Sequence, residues 1–157
     1  MTTLHIYTDG AHSSKNNAGG WAYMVIADNK QLHKVYGGEA DTTNNRMEMT
    51  AVAKALEYVW EQVNDQPTTT INLYIDSAYV HNAFTQGWID TWLKNGWKTT
   101  AKTLVKNRDL WVQMLKLKRL IEAQDHKIIF NKVEGHSTNK YNNEVDKLAV
   151  QGRKEVK

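Results

Sequence analysis

Leu4, Ile6 and Thr8 alternate with His5, Tyr7 and Asp9, the two-residue repeat of a half-buried strand, here ending at Asp9. The segments Gly20 to Asp28 and Gln31 to Gly38 give two more strands, joined through the short Asp28-Asn29-Lys30 turn into an antiparallel hairpin. The period then lengthens. Met49, Val52, Leu56, Val59 and Val63 recur at helical spacing and predict a helix from about Asn44 to Val63, closed by the turn around Pro67. A compact strand follows from Ile71 to Asp76. Ser77 caps a short helix through about Gln86, which Gly87 ends. Beyond a Trp- and Lys-rich stretch from Trp88 to about Lys106, the pattern predicts a helix over 107–123, a strand over 127–133 and a last helix over 142–152. The lysine-rich residues 153–157 are expected to form a disordered tail.

This order, β-β-β-α-β-α-α-β-α, predicts an α/β fold with a five-stranded mixed sheet: three antiparallel strands, then strands reached through helical crossovers. The 157 residues suit a single domain, 1–157, on a prior of roughly 100 to 200 residues per domain. No repeat, low-complexity tract or interdomain linker divides them. The longest apolar run near the start, Tyr23 to Ala27, is too short to cross a bilayer, so the expectation is a cytoplasmic protein with no membrane contact. Cysteine is absent, which removes disulfides, thiolate catalysis and cysteine-rich zinc sites. The net charge is +3, but Lys94 to Arg119 contains eight basic residues and one acid, a local +7 that leaves −4 elsewhere. That asymmetry points to a polyanionic partner, or else to a solvated basic face.

Glu48 does not fit the helical pattern. It lies one turn before Val52 on the inward face, where an ionised carboxylate without a positive partner is costly. Asp9 and Asp76 stand at the carboxyl ends of two apolar strands, which a crossover could make parallel neighbours about 4.8 Å apart. In the last helix, Asp146 borders the apolar face of Val145, Leu148 and Ala149. Singly, each acid is better explained as a turn, cap or helix-dipole residue. Together, four carboxylates gathered at one end of a sheet need hard divalent cations to neutralise them, and all-oxygen ligation favours Mg²⁺ or Mn²⁺ over zinc.

The motifs YTDG with Asp9, TTNNRME with Glu48, IDS with Asp76, and GHS followed ten residues after His136 by Asp146 resemble those of ribonuclease H, in particular the free-standing bacterial type-one enzyme. The likeness runs in order from about residue 3 to residue 152, and residues 88–106 resemble the basic protrusion, or handle, of that subgroup. The resemblance implies endonucleolytic hydrolysis of the RNA strand of an RNA–DNA hybrid, leaving 5′-phosphate and 3′-hydroxyl ends. Asp9, Glu48, Asp76 and Asp146 would hold two Mg²⁺ ions, with Mn²⁺ as a substitute, one activating water and the other stabilising the leaving oxygen. His136 would assist proton transfer or product release. The protein would act as a monomer.

The resemblance also places Asn44, Asn45 and the backbone of Gly10 and Ala11 along the RNA strand, where they would read 2′-hydroxyls. The DNA strand would lie against Thr43, Asn107 and the protrusion, with Trp88, Trp92 and Trp97 offering flat rings and Lys94, Lys98 and Lys102 meeting phosphates. Trp111 is assigned to the core. Asp41 stands where relatives often carry an arginine, Ala78 where they carry a glutamine, and Leu93 and Asn95 where they are basic. These departures imply weaker grip on the hybrid. Two alternatives stay open: a non-catalytic nucleic-acid-binding module of the same fold, and a related DNA-cutting nuclease.

Overall fold

The computed structural model describes residues 2–99, 101–133 and 139–156. Five strands, β1 (Thr2–Ser13), β2 (Ala18–Ala27), β3 (Lys30–Ala40), β4 (Thr69–Ile75) and β5 (Lys127–Lys132), form one sheet in the order β3-β2-β1-β4-β5. The first three pair antiparallel, while β1 with β4 and β4 with β5 run parallel. The helices are α1 (Asn44–Val63), α2 (Ala78–Thr85), α3 (Trp88–Lys94), α4 (Arg108–Ala123) and α5 (Lys140–Lys154). The expected α/β architecture with its five-stranded mixed sheet is therefore the observed one.

The sheet separates two apolar clusters. On one face α1, α2 and α4 pack over Leu4, Ile6, Ile71, Leu73 and Ile75, and on the other α5 covers Tyr7, Ala22, Met24 and Ile26. β4 shows the cause in its own sequence: Ile71, Leu73 and Ile75 are fully buried while Thr70, Asn72 and Tyr74 between them stay half-buried. Burying each such aliphatic side chain contributes about 1.5–3 kcal/mol.

Several boundaries differ from expectation. β1 does not end at Asp9: its parallel ladder with β4 stops at Thr8–Ile75, but its antiparallel ladder with β2 continues to Ser13. α1 itself runs from Asn44 to Val63 as expected, capped by Thr43, whose hydroxyl accepts from the Arg46 amide at 3.1 Å. α5 starts two residues before Asn142, because the Asn139 side chain accepts from the amides of Tyr141 and Asn142. The tail expected after Gly152 is instead the end of α5, which runs through Lys154. Gly38 leaves room for Val156 there, since a methyl group on that glycine would come within 2.7 Å of it.

Candidate active site

The parallel register sets the first pair of acids. Thr8 and Ile75 are the last partners of the β1–β4 ladder, so Asp9 and Asp76 are the next residues on two adjacent strands. α1 brings the third. Its first turn settles onto β1 because Gly10 has no side chain there, and Met47, Glu48 and Met49 are all buried. α5 brings the fourth in the same way: Gly20 and Gly152 lack the Cβ atoms that would hold the helix off β2 and β3, and Asp146 lies exposed on the helix they seat. The sequence reading did not anticipate these glycine contacts. A glycine directly after a strand-end acid, or inside a strand, is the available signal, since it marks close backbone approach.

The four carboxylates act on one another. Burial pushes the Asp9 carboxyl up to about 7, reinforced by a hydrogen bond to Asp146 and by the charges of Asp146 and Asp76, while a bond to Glu48 opposes the rise. Glu48 is pushed well above the usual carboxylate range, first by burial and then by the Asp9 and Asp76 charges, with a backbone bond from Gly10 acting against the shift. The Gly10 amide also donates to Asp9 Oδ1 at 2.9 Å. Glu48 Oε2 is buried without a hydrogen-bond partner, and among the described residues no Lys, Arg or His forms an ion pair with any of the four acids. The positive partner expected for Glu48 is thus not a side chain of the described chain. No three His, Cys, Asp or Glu side chains among the described residues are arranged, as they stand, to hold a metal ion. The donor set nevertheless suits a hard cation: an unpartnered buried oxygen, all-carboxylate chemistry, and at Asp9 and Glu48 proton affinities raised by burial and then by neighbouring carboxylates.

Of the other sequence-predicted residues, Gly10 is buried, Ala11 is half-buried, and Thr43, Asn44 and Asn45 are exposed beside Glu48 at the start of α1. Asn107 reaches this region through Arg46, whose Nη1 donates to Asn107 Oδ1 at 3.2 Å while Nη2 pairs with Asp109 at 2.8 Å. Arg46 was not singled out from sequence, although its place in TTNNRME was visible. Lys94, Lys98 and Lys102 are exposed on the handle. The tryptophans are less available than expected. Trp97 is buried, and Trp88 and Trp92 pack into an aromatic cluster in which the Trp92 and Trp111 centroids are 5.4 Å apart. Hydrophobic burial takes rings that a basic context had suggested for deoxyribose. Trp111 is fully buried, as expected. His136 lies outside the described residues.

A mixed sheet whose two adjacent parallel strands each place an aspartate just past the end of their shared ladder, overlain by a helix carrying a buried glutamate, has the architecture of the ribonuclease H-like α/β proteins. LC9-RNase H1, a type 1 RNase H with the type 2 active-site motif, superimposes with a TM-score of 0.78 at 21% identity, over 98% of this chain and 73% of that one. LC11-RNase H1, solved in complex with an RNA/DNA hybrid, gives 0.69 at 17% identity, over 96% of each chain. Beyond the fold, the RNase H family model matches residues 1–154. A Ribonuclease H from Chlorobaculum parvum is 46% identical over 147 residues, 94% of this chain and 92% of that protein. The chain belongs to the RNase H family, and it is an endoribonuclease.

Proposed function

We propose that the enzyme cuts the RNA strand of RNA–DNA hybrids internally, leaving 5′-phosphate and 3′-hydroxyl ends, as a monomer in the cytoplasm. The observation that carries this reading is Glu48: a buried carboxylate beside Asp9, with one oxygen unpartnered, in a cluster that no Lys, Arg or His among the described residues pairs with. Such a group destabilises the resting fold, so its use lies in binding something positive. The hybrid bound by LC11-RNase H1 supports the substrate class, as does the family itself.

Asp9, Glu48, Asp76 and Asp146 are the residues to hold two Mg²⁺ ions, with Mn²⁺ as a substitute. When bound, such cations supply Lewis acidity, making the attacking water more acidic and neutralising charge that develops on the leaving oxygen. The chain's own groups then select and position the hybrid. The Gly10 and Ala11 backbone and the exposed amides of Asn44 and Asn45 bond the 2′-hydroxyls of the RNA strand, and the Glu48 carboxylate accepts from one of them. Thr43 and Asn107 face the DNA strand, and Lys94, Lys98 and Lys102 take phosphates without reading bases. Trp88, Trp92 and Trp97 chiefly give the handle its shape. His136 moves a proton at the departing group or speeds release of product.

The test compares cleavage of hybrid, duplex RNA and duplex DNA in Mg²⁺, in Mn²⁺ and in chelator, with end-group analysis of the products and Asp9→Asn as control. Cleavage confined to the RNA of the hybrid, lost in chelator and in the variant, is expected. Full activity in chelator or in Asp9→Asn sinks the metal reading, and efficient cutting of duplex DNA sinks the substrate assignment.

A further inference from the structure

α4 carries two apolar stripes. Leu110, Trp111, Met114, Leu117 and Ile121 face the core, as an amphipathic helix requires. Exposed Val112 and half-buried Leu115 form a second stripe, continued by half-buried Leu120, along an edge of the helix that the core only partly covers. Together with Leu93 of α3 they floor a groove of about 490 Å³. Val112 is 43% exposed and Leu93 37% exposed, among the few large apolar side chains that the described surface shows to water.

The rim of this groove is basic. Arg108, Lys116 and Arg119 line it, and none forms an ion pair among the described residues; Arg108 lies 5.8 Å from the Trp97 ring centroid instead. The two acids of α4 are engaged elsewhere, Asp109 by Arg46 and Glu122 by Lys118. An apolar floor with an unneutralised cationic rim fits an occupant that is apolar on one side and acidic on its flanks.

That description selects among occupants. A second copy of the chain would bring the same cations against these ones in a two-fold contact, so like charges oppose it. Nucleic acid would satisfy the rim but leave the leucine and valine floor uncovered, since a sugar–phosphate chain has little apolar surface to place there. We propose that the groove between α3 and α4 docks an acidic amphipathic helix of a partner protein, its apolar stripe on Val112 and Leu115 and its carboxylates against Lys116 and Arg119. The site is separate from the carboxylate cluster and does not depend on the reaction proposed there.

The experiment titrates the isotopically labelled full chain with a designed helix carrying leucine on one face and glutamate on the flanks. A second helix with lysine in place of glutamate and a single-stranded oligothymidylate are the other arms. The glutamate helix is expected to bind in the micromolar range with amide shifts confined to α3 and α4. Val112→Asp and Arg119→Glu should each weaken it about tenfold, while Val112→Leu retains it and hybrid cleavage by all three is unchanged. Because Val112 and Arg119 are exposed, thermal melts should show all three variants folded. Equal binding of the lysine helix, shifts outside α3 and α4, or insensitivity to both disruptive variants overturns the proposal. Displacement of the glutamate helix by oligothymidylate, with the same shifts, overturns it in favour of nucleic acid.

Discussion

Gly10 and Glu48 meet backbone to backbone: a methyl group on Gly10 would overlap the Glu48 amide nitrogen and stand 2.6 Å from the Met47 carbonyl carbon. The same glycine donates its amide to Asp9 Oδ1 at 2.9 Å, so one residue without a side chain sets the spacing of two buried acids. Gly10→Ala should force the start of α1 away from β1 at roughly 1–3 kcal/mol, the usual cost of overpacking. Chemical denaturation would measure that loss. Steady-state cleavage of hybrid should show kcat falling more than KM rises, because the carboxylates shift relative to each other while the exposed substrate contacts remain.

The raised acids predict an inverted dependence of stability on pH. In chelator, Asp9 titrates near 3.8 when unfolded and near 7 when folded, so between those values the folded chain holds the extra proton. Stability is then full below the lower value and is lost as pH rises through the upper one, with Glu48 acting in the same direction. Melting temperatures in chelator should therefore fall from pH 5 to pH 8. Glu48→Gln removes the charge from this buried site and should raise the pH 8 melting temperature, by roughly 1–3 kcal/mol of stability, while abolishing hybrid cleavage. A variant both less stable at pH 8 and inactive would contradict the electrostatic account.

The elements legible in sequence were those whose packing is periodic. β4, α1 and α4 bury residues at their own repeat, so Ile71-Leu73-Ile75 and Met49-Val52-Leu56 are read directly. The last residues of β1, Gly10 to Ser13, carry no such alternation because the ladder to β2 alone holds them, and the strand therefore seemed to stop at Asp9. The four acids were legible because carboxylates bordering apolar surface are costly wherever they occur. What stayed hidden depends on contacts between distant segments. Trp97 lies amid lysines in sequence but is buried with a left-handed backbone, φ 63°, against an aromatic cluster drawn from α2, α3 and α4. Likewise, nothing local to residues 153–156 announces that Gly38 makes room for the end of α5.

Arg46 links the beginning of α1 to the beginning of α4. Its guanidinium reaches Asn107 and both carboxylate oxygens of Asp109, at 3.2, 3.1 and 2.8 Å. Asp109 is largely exposed, so the pair should contribute only about 1 kcal/mol or less to stability. Its greater effect is to fix Asn107, which holds the left-handed conformation, φ 59°, ahead of α4. Arg46→Ala should raise KM for hybrid severalfold with little change in kcat or melting temperature. Arg46→Lys should recover little, because an ammonium cannot span Asn107 and the carboxylate together. A kcat loss matching the KM change would show that Arg46 reaches the carboxylate cluster instead.

Asp41 tests whether the hybrid's phosphates approach the turn that leads into α1. It is exposed in the left-handed region, φ 52°, held by its amide donating to the Asn17 carbonyl at 2.8 Å and by a side-chain contact with Asn17. Asparagine tolerates that backbone as well as aspartate does, so Asp41→Asn removes the charge and leaves the turn in place. A phosphate one contact away would gain about 0.5–1 kcal/mol from the loss of repulsion across water, a two- to fivefold tighter Kd at low salt. Because this gain is Coulombic, it should shrink as ionic strength rises and the Debye length falls below about 8 Å. Fluorescence anisotropy with a labelled hybrid across a salt series reads both quantities. A Kd unchanged at low salt would place the DNA strand away from this turn and leave the grip on phosphate to Lys94, Lys98 and Lys102.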